Sequence, residues 1–230
     1  MMISVIIPTL NEERSLTQTL ACLSTSDVTE VVIVDGGSSD KTILIAEAFC
    51  AKTSNAFIVT APVGRAGQMN EGAKAGQGDI LLFLHADTLL PAGATTMIES
   101  ALIEPTVVGG RFDVTFNSPS ILAPVISTLM NLRSRLSSIA TGDQALFVRR
   151  HAFERLGGFA DIPLMEDIEF SRRLKRTGQI AALHQKVTTS FRRWEQQGLL
   201  RTIFLMWTLR FLYWAGVSPH QLARVYRPVR

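Results

Sequence analysis

Apolar runs of strand length alternate with amphipathic stretches along the first part of the chain. Ser4-Val5-Ile6-Ile7-Pro8-Thr9 reads as a first strand, and Leu16, Leu20 and Leu23 follow at helical spacing. Val31-Val32-Ile33-Val34 sets four β-branched residues in a row, which suits a strand covered on both faces. Asp35-Gly36-Gly37-Ser38-Ser39-Asp40 then supplies a flexible turn, with Ser39 or Asp40 placed to cap the next helix. Residues 57–60 read as a third strand, residues 64–70 open another helix, and residues 80–84 read as a fourth strand. Strand and helix in alternation predict an α/β fold with a mostly parallel sheet, right-handed crossovers and flanking helices.

After Pro91 the pattern loosens. A helix is predicted over residues 94–103, and residues 109–116 alternate like an exposed edge strand. Residues 121–139 read as a helix, 144–148 as a strand, 167–175 as a helix and 187–190 as a last strand. No internal repeat or linker breaks the series, so residues 1–195 are expected to form one domain, with a C-terminal amphipathic helical extension over 196–230. That extension is rich in aromatic residues from Phe204 to Trp214, but Arg201 and Arg210 interrupt it. A membrane-spanning helix needs ~20 mostly apolar residues with few charges, and Arg210 falls near the middle. Two readings carry equal weight: an interfacial helix on a membrane surface, and a helix packed on the domain or on a second copy in a homodimer.

Composition narrows the partners. The chain has 230 residues, 47% of them hydrophobic and 19% charged, which fits a globular protein. Its mean hydropathy of +0.21 is high, and the C-terminal extension accounts for much of it. The net charge of +3 conceals an asymmetry: from Ser190 onward there are seven Arg and one Glu, which leaves the rest of the chain net negative. A basic tail suits an anionic surface or substrate. No helix-turn-helix, zinc-finger or aromatic RNA-binding signature is present, so nucleic acid is not an expected partner. Cys22 and Cys50 lack metal-site spacing and read as inert thiols. The apolar run at the start has neither a basic n-region nor a cleavage site. A cytoplasmic location is therefore expected, with peripheral contact at the inner face of the membrane if the extension is interfacial.

Three acidic positions carry the candidate chemistry. In an open α/β sheet, ligands bind outside the carboxyl ends of the strands. Asp35 stands at one such end and Asp87, in His85-Ala86-Asp87, at another. Glu166-Asp167 follows Gly157-Gly158-Phe159 and opens a predicted helix, where the helix dipole stabilises anions. Each position also has an ordinary structural role: Asp before Gly is a common turn residue, and acids are common in a first helical turn.

In their order and spacing these pieces resemble a family-2 glycosyltransferase with the Rossmann-like GT-A fold, over roughly residues 3–195, and more narrowly a small bacterial subgroup. The resemblance rests on Ile7-Pro8-Thr9-Leu10-Asn11-Glu12, Val34 to Asp40, Gly67 to Ala73, His85-Ala86-Asp87, Gly157-Gly158-Phe159 and Glu166-Asp167, with Thr141-Gly142-Asp143-Gln144 and Arg192-Arg193-Trp194 as further marks. It implies an inverting transfer of sugar from a nucleotide diphosphate sugar to an acceptor hydroxyl. Asp35 would meet the base of the nucleotide, framed by Pro8, Thr9, Glu12 and Gly37, with Arg65, Asn70 and Ala86 completing the nucleotide side. Asp87 matches the last carboxylate of the family's Asp-x-Asp motif and would hold a divalent cation, Mn2+ or Mg2+. His85 replaces the first carboxylate, and as a softer ligand it suits manganese better. His184 is a further ligand candidate. Asp167 matches the family's catalytic base, with Glu166 beside it. Asp143, Gln144, Gly157, Gly158, Phe159, Arg193 and Trp194 would form the acceptor side. Arg193-Trp194 lacks the Gln that precedes this pair in processive relatives, so processive synthesis is not expected.

A UDP-sugar is the favoured donor, and the basic, aromatic extension suggests a lipid-linked acceptor. A nucleotidyltransferase would carry a basic Gly-rich loop after the first strand, where this chain has Pro8-Thr9-Leu10-Asn11-Glu12. A dehydrogenase would carry Gly-x-Gly-x-x-Gly there. The alternative from another class is a catalytically silent nucleotide-sugar-binding or membrane-docking protein of the same fold.

Overall fold

The computed structural model describes residues 1–226, except the side chains of Arg193 and Leu200. In chain order, β1 (Ile3–Thr9), α1 (Leu16–Ser24), β2 (Glu30–Asp35), α2 (Thr42–Cys50), β3 (Ala56–Thr60), α3 (Arg65–Ala75) and β4 (Ile80–Phe83) form the regular α/β half. β5 (Thr88–Leu89), α4 (Ala94–Ala101), β6 (Val107–Asn117), α5 (Leu122–Ser137), β7 (Leu146–Arg149), α6 (Arg150–Arg155), α7 (Glu166–Leu174) and β8 (Gln179–Ser190) form the second half. α8 (Arg192–Gln197), α9 (Leu199–Trp214) and α10 (Pro219–Val225) close the described chain. One eight-stranded sheet runs β3-β2-β1-β4-β7-β6-β8-β5. β3, β2, β1 and β4 are parallel, whereas β7 is antiparallel to both of its neighbours.

Period-two alternation divides the strands between two cores. Val5, Ile7, Val31, Ile33, Ile80 and Leu82 face Leu16, Leu20 and Leu23 of α1 and Ile98 of α4. Ile6, Val32, Val34, Leu81 and Phe83 face Ala66, Met69 and Ala73 of α3 together with Phe153 and Phe170. This two-sided cover is what the β-branched run in β2 requires. α3 lies so close to the sheet that a Cβ at Gly72 would stand 2.4 Å from Ile6 Cγ2.

Several expectations need correction. The predicted edge strand is β6, an interior strand between β7 and β8 that is buried over most of its length. Its polar alternation comes from an internal ion network: Arg111 is 2% exposed and donates to Asp113 at 2.5 Å, and Arg135 donates to the same carboxylate at 2.8 Å. Burial lowers the Arg111 pKa, and the Asp113 charge opposes that fall. Neither Ser39 nor Asp40 is the N-cap of α2. Lys41 takes that position, and Asp40 accepts the Thr42 N–H from one residue further out, at 2.9 Å. The last strand starts at Gln179, well before the predicted residue 187, because β6 pairs with it in parallel over nearly its whole length.

The C-terminal extension is helical and packs back on the domain. α9 and α10 dock through Leu209 and Leu222 onto Met165 and Ile168 beside the start of α7. The aromatic face of α9 points outward: Phe204, Phe211 and Trp214 are all more than 60% exposed, and Trp207, equally exposed, also borders the main cavity. α5 shows a similar outward stripe of Ile121, Val125, Leu129, Leu132 and Leu136. No helix among the described residues is long and apolar enough to cross a membrane.

Candidate active site

The carboxyl ends of β1 and β4 form the floor of a cavity of about 270 Å3. Pro8 near the end of β1 and Glu12 after it line the cavity, and His85, Ala86 and Asp87 line it after β4. α5, α8 and α9 form the opposite wall with Ile126, Met130, Arg133, Trp194, Met206 and Arg210, among others. Glu12 reaches across to Arg192 at 3.4 Å and ties the first loop to α8. Trp194 is held by a near-parallel stack on Phe191. A narrow recess of about 10 Å3, bounded by Gly142, Phe159, Glu166 and Asp167, shares Pro8, Arg65 and His85 with the main cavity.

Asp87 lines the main cavity half-buried, and no hydrogen bond or ion pair is recorded for its carboxylate among the described residues. Asp167 stands in the first turn of α7. The Gly142 N–H donates to its Oδ2 at 2.9 Å and the Ile168 N–H to its Oδ1 at 2.7 Å, which fixes the carboxylate's direction. The preceding Met165 has φ 70°, a left-handed conformation costly for a side chain of its size, and its burial under α9 and α10 holds it there. Glu166 is buried, and Arg65 Nη1 lies 3.8 Å from its Oε1. Burial first, and then the adjacent Asp167 charge, raise the Glu166 pKa above the ordinary range, while Arg65 pulls the other way.

His85 joins these groups. Its Nδ1 lies 3.3 Å from Asp143 Oδ1, and its Nε2 is buried against Gly142 without a hydrogen-bond partner among the described residues. A Cβ at Gly142 would come within 2.2 Å of that nitrogen. The ring therefore packs into the fold, with Nε2 closed off by Gly142. His184 is exposed, 3.4 Å from Arg135, and lines neither the cavity nor the recess.

Asp35 lines neither space. It is 2% exposed, and its carboxylate serves its own turn, accepting from Gly37 N–H at 2.7 Å, Ser38 N–H at 2.8 Å and the Ser38 hydroxyl at 2.5 Å. Gly37 meets this geometry with φ 89°. Thr9, paired with Asp35 across β1 and β2, is buried behind Pro8. Asn70 is a brace: its side chain donates to the Phe159 carbonyl and accepts the Phe159 N–H, both at 2.9 Å. It fixes the loop in which Gly157 and Gly158 take φ 75° and 73°. Phe159 packs edge-on against Phe83 at 4.8 Å and reaches only the recess. Gln144 is fully buried and folds back on Thr141 in a capping box, so of the pair only Asp143 faces the cavity. The Arg193 side chain lies outside the described residues.

Sequence reasoning missed three features. Gln68 ties α3 to the ends of β1 and β2, donating to Thr9 and Val34 carbonyls at 2.8 Å each. Arg133 and Arg210 turn inward to the cavity from helices with apolar outer faces. Their signal was visible as charges in apolar helices, but on which side they fall depends on how α5 and α9 pack.

The cavity also bears on a metal ion. Among the described residues, no group of three His, Cys, Asp or Glu side chains is placed to hold one. Among the described residues, Asp87 offers the cavity a hard-oxygen donor for which no hydrogen bond or ion pair is present. This fits a magnesium- or manganese-type ion that shares its shell with substrate phosphates, and it does not fit an all-protein cage.

Comparison with known proteins agrees with this architecture. A probable glycosyltransferase, YdaM, of Bacillus subtilis (strain 168) is 27% identical over 216 residues, covering 85% of this chain and 50% of that protein. The chain thus spans half the length of that relative. The mannosyltransferase PcManGT from Pyrobaculum calidifontis, solved with GDP-Man and Mn2+, superposes with a TM-score of 0.70 at 19% identity, covering 99% of this chain and 65% of that one. S. aureus TarS 1-349 in complex with UDP-GlcNAc gives a TM-score of 0.67 at 22% identity, covering 83% and 58%. At these identities the structures establish the shared GT-A fold. The profile of Glycosyl transferase family 2 matches residues 4–157, a span that holds Asp35, Asp87 and Asp143 and stops before Asp167. The match takes in most of the sheet and the cavity floor, and the chain belongs to glycosyl transferase family 2.

Proposed function

We propose that the protein is an inverting glycosyltransferase that moves a sugar from a nucleotide diphosphate sugar, a UDP-sugar by preference, to an acceptor hydroxyl. The observation that carries this reading is the placement of Asp87 and Asp167 in two connecting spaces over the carboxyl ends of β1 and β4. The nucleotide lies at the Pro8 and Glu12 end, with the diphosphate toward Asp87 and Arg65. Use of Asp35 for the base requires its turn to exchange internal hydrogen bonds for ligand ones. Asp87 would hold a divalent cation that offsets the charge of the diphosphate leaving group. His85 supports this end by orienting Asp143.

In the transfer, the acceptor oxygen attacks the anomeric carbon and a new C–O bond forms. The bond from that carbon to the diphosphate oxygen breaks, and the nucleoside diphosphate leaves with the electron pair. The hydroxyl proton passes to Asp167, whose carboxylate is fixed by Gly142 and Ile168 N–H groups. Glu166, whose raised pKa favours its protonated form, lies 3.8 Å from Arg65 beside the recess. The exposed aromatic face of α9 supports a membrane-surface location, where an amphipathic acceptor would be met.

The test is a melting screen of the purified chain against UDP-, GDP- and dTDP-sugars with and without Mn2+. A ligand that binds only the native form must raise its apparent stability. A shift for one nucleotide class that needs Mn2+ supports the reading. No shift with any of them leaves a membrane-docking protein of the same fold that binds no nucleotide sugar.

A further inference from the structure

Two arginines line the same cavity, and among the described residues no carboxylate is paired to either. Arg133 comes from α5 and Arg210 from α9, and both line the main cavity. Arg133 Nε and Nη2 and Arg210 Nε are shielded from solvent and make no hydrogen bond among the described residues. Buried guanidinium N–H groups normally find acceptors, because an unpaired one loses its water without compensation. The two cations also repel each other. Burial first, and then the Arg210 charge, press the Arg133 pKa down to about 10. Burial lowers Arg210 as well. Two like charges held together in a cavity wall are unfavourable in the free protein, so a ligand that offsets them gains accordingly.

The Asp167 and Asp143 charges act on both arginines. The arginines come from helices α5 and α9 and line the cavity that Asp87 also lines, on elements separate from the β1 and β4 ends where the donor is placed. Apolar side chains, Met130 and Met206 among them, share their wall. We infer that Arg133 and Arg210 form an oxyanion subsite for the acceptor, which therefore carries a phosphate or carboxylate close to the hydroxyl that receives the sugar. The inference rests on the transferase reading and names the acceptor class within it. Paired guanidinium groups match the several oxygens of a phosphate better than the two of a carboxylate, so a phosphate ester is the expected acceptor.

The experiment uses the full chain with UDP and Mn2+ present, and glycerol 3-phosphate, glycerate and glycerol as probes in a melting titration. Glycerol 3-phosphate is expected to raise the melting temperature most, glycerate less and glycerol not at all. In Arg133→Gln and Arg210→Gln the apparent affinity for glycerol 3-phosphate is expected to fall about tenfold or more. Each ligand-free variant should melt at or above the parent, since one of two repelling charges is gone. A purely structural arginine would give the opposite, a lower melting temperature.

The inference is overturned if glycerol acts as well as glycerol 3-phosphate, or if the variants respond like the parent. It is also overturned if Arg133→Gln loses UDP affinity as Asp87→Ala does, since the arginines would then serve the donor diphosphate. Failure of UDP to bind the parent chain would count against the transferase reading instead. The probe titration repeated without nucleotide still decides whether an oxyanion site exists.

Discussion

Gly142→Ala tests the tightest contact in the site. The added Cβ would lie 2.2 Å from His85 Nε2 and 2.6 Å from Cε1. Ordinary contact begins near 3.4 Å, so ring and loop must separate by roughly 1.2 Å. The ring has little freedom to retreat, because it is mostly buried and its other nitrogen faces Asp143 at 3.3 Å. The loop has little either, since the Gly142 N–H anchors Asp167 at 2.9 Å. A misplacement of ~1 Å at reacting groups can cost about 100-fold in rate. Overpacking of this kind costs ~1–3 kcal/mol in stability, and at ~2–4 °C per kcal/mol for a chain of this size the melting temperature should fall by about 2–12 °C. The assay is release of nucleoside diphosphate from the donor identified by the melting screen, with melting followed in parallel. Removing the ring in a His85→Ala/Gly142→Ala double variant should return most of the lost stability, with a coupling energy of ~1–3 kcal/mol. Unchanged rate and melting in Gly142→Ala, or strict additivity in the double variant, would refute the linkage of His85, Gly142 and Asp167.

Other consequences follow from the same geometry. Glu166 holds its proton in the folded state at pH values where the unfolded chain has released it, so its contribution is fully present below about pH 4.3 and is lost as pH rises through the raised folded value. The parent should therefore lose stability relative to Glu166→Gln as pH rises from about 4 to 8; urea unfolding across that range checks this, and parallel curves would refute it. If the outward face of α9 meets a membrane, a Phe204→Ser/Phe211→Ser variant should melt like the parent, because both rings are more than 60% exposed, yet cosediment several-fold less with anionic liposomes. Equal cosedimentation, or a concentration-dependent dimer lost in the variant, would assign that face to protein contact.

The regular half of the fold was legible because burial and periodicity agree there. Val31 to Val34 could only be a strand covered on both faces, and the α1 leucines could only face the sheet. The reading failed at β6, where Arg111 and Arg135 share the Asp113 carboxylate inside the protein; polar alternation carries no sign of whether water or a buried partner satisfies it. Asp87 and Asp167 were legible as candidates because one follows a strand and the other opens a helix, and the structure sets them at the cavity and at its recess; Asp143 was a candidate through the family resemblance alone. Asn70 and Gln144 were not legible as braces: an amide can meet a ligand or a backbone, and the sequence does not distinguish the two. Arg210 read as an interruption of an apolar helix. It is instead the inward residue of a helix whose aromatics face out, a reversal that only the docking of Leu209 and Leu222 determines.

The central claim is that the cavity over β1 and β4, with its adjoining recess, performs metal-assisted sugar transfer through Asp87 and Asp167. The most direct measurement is Mn2+-dependent release of nucleoside diphosphate from nucleotide sugars by the purified parent chain, Asp87→Ala and Asp167→Asn. The account predicts release by the parent that requires the cation, and a fall of at least about 100-fold in each variant. Release at the parent's rate in both variants, or no release by the parent from any nucleotide sugar that binds, would contradict it.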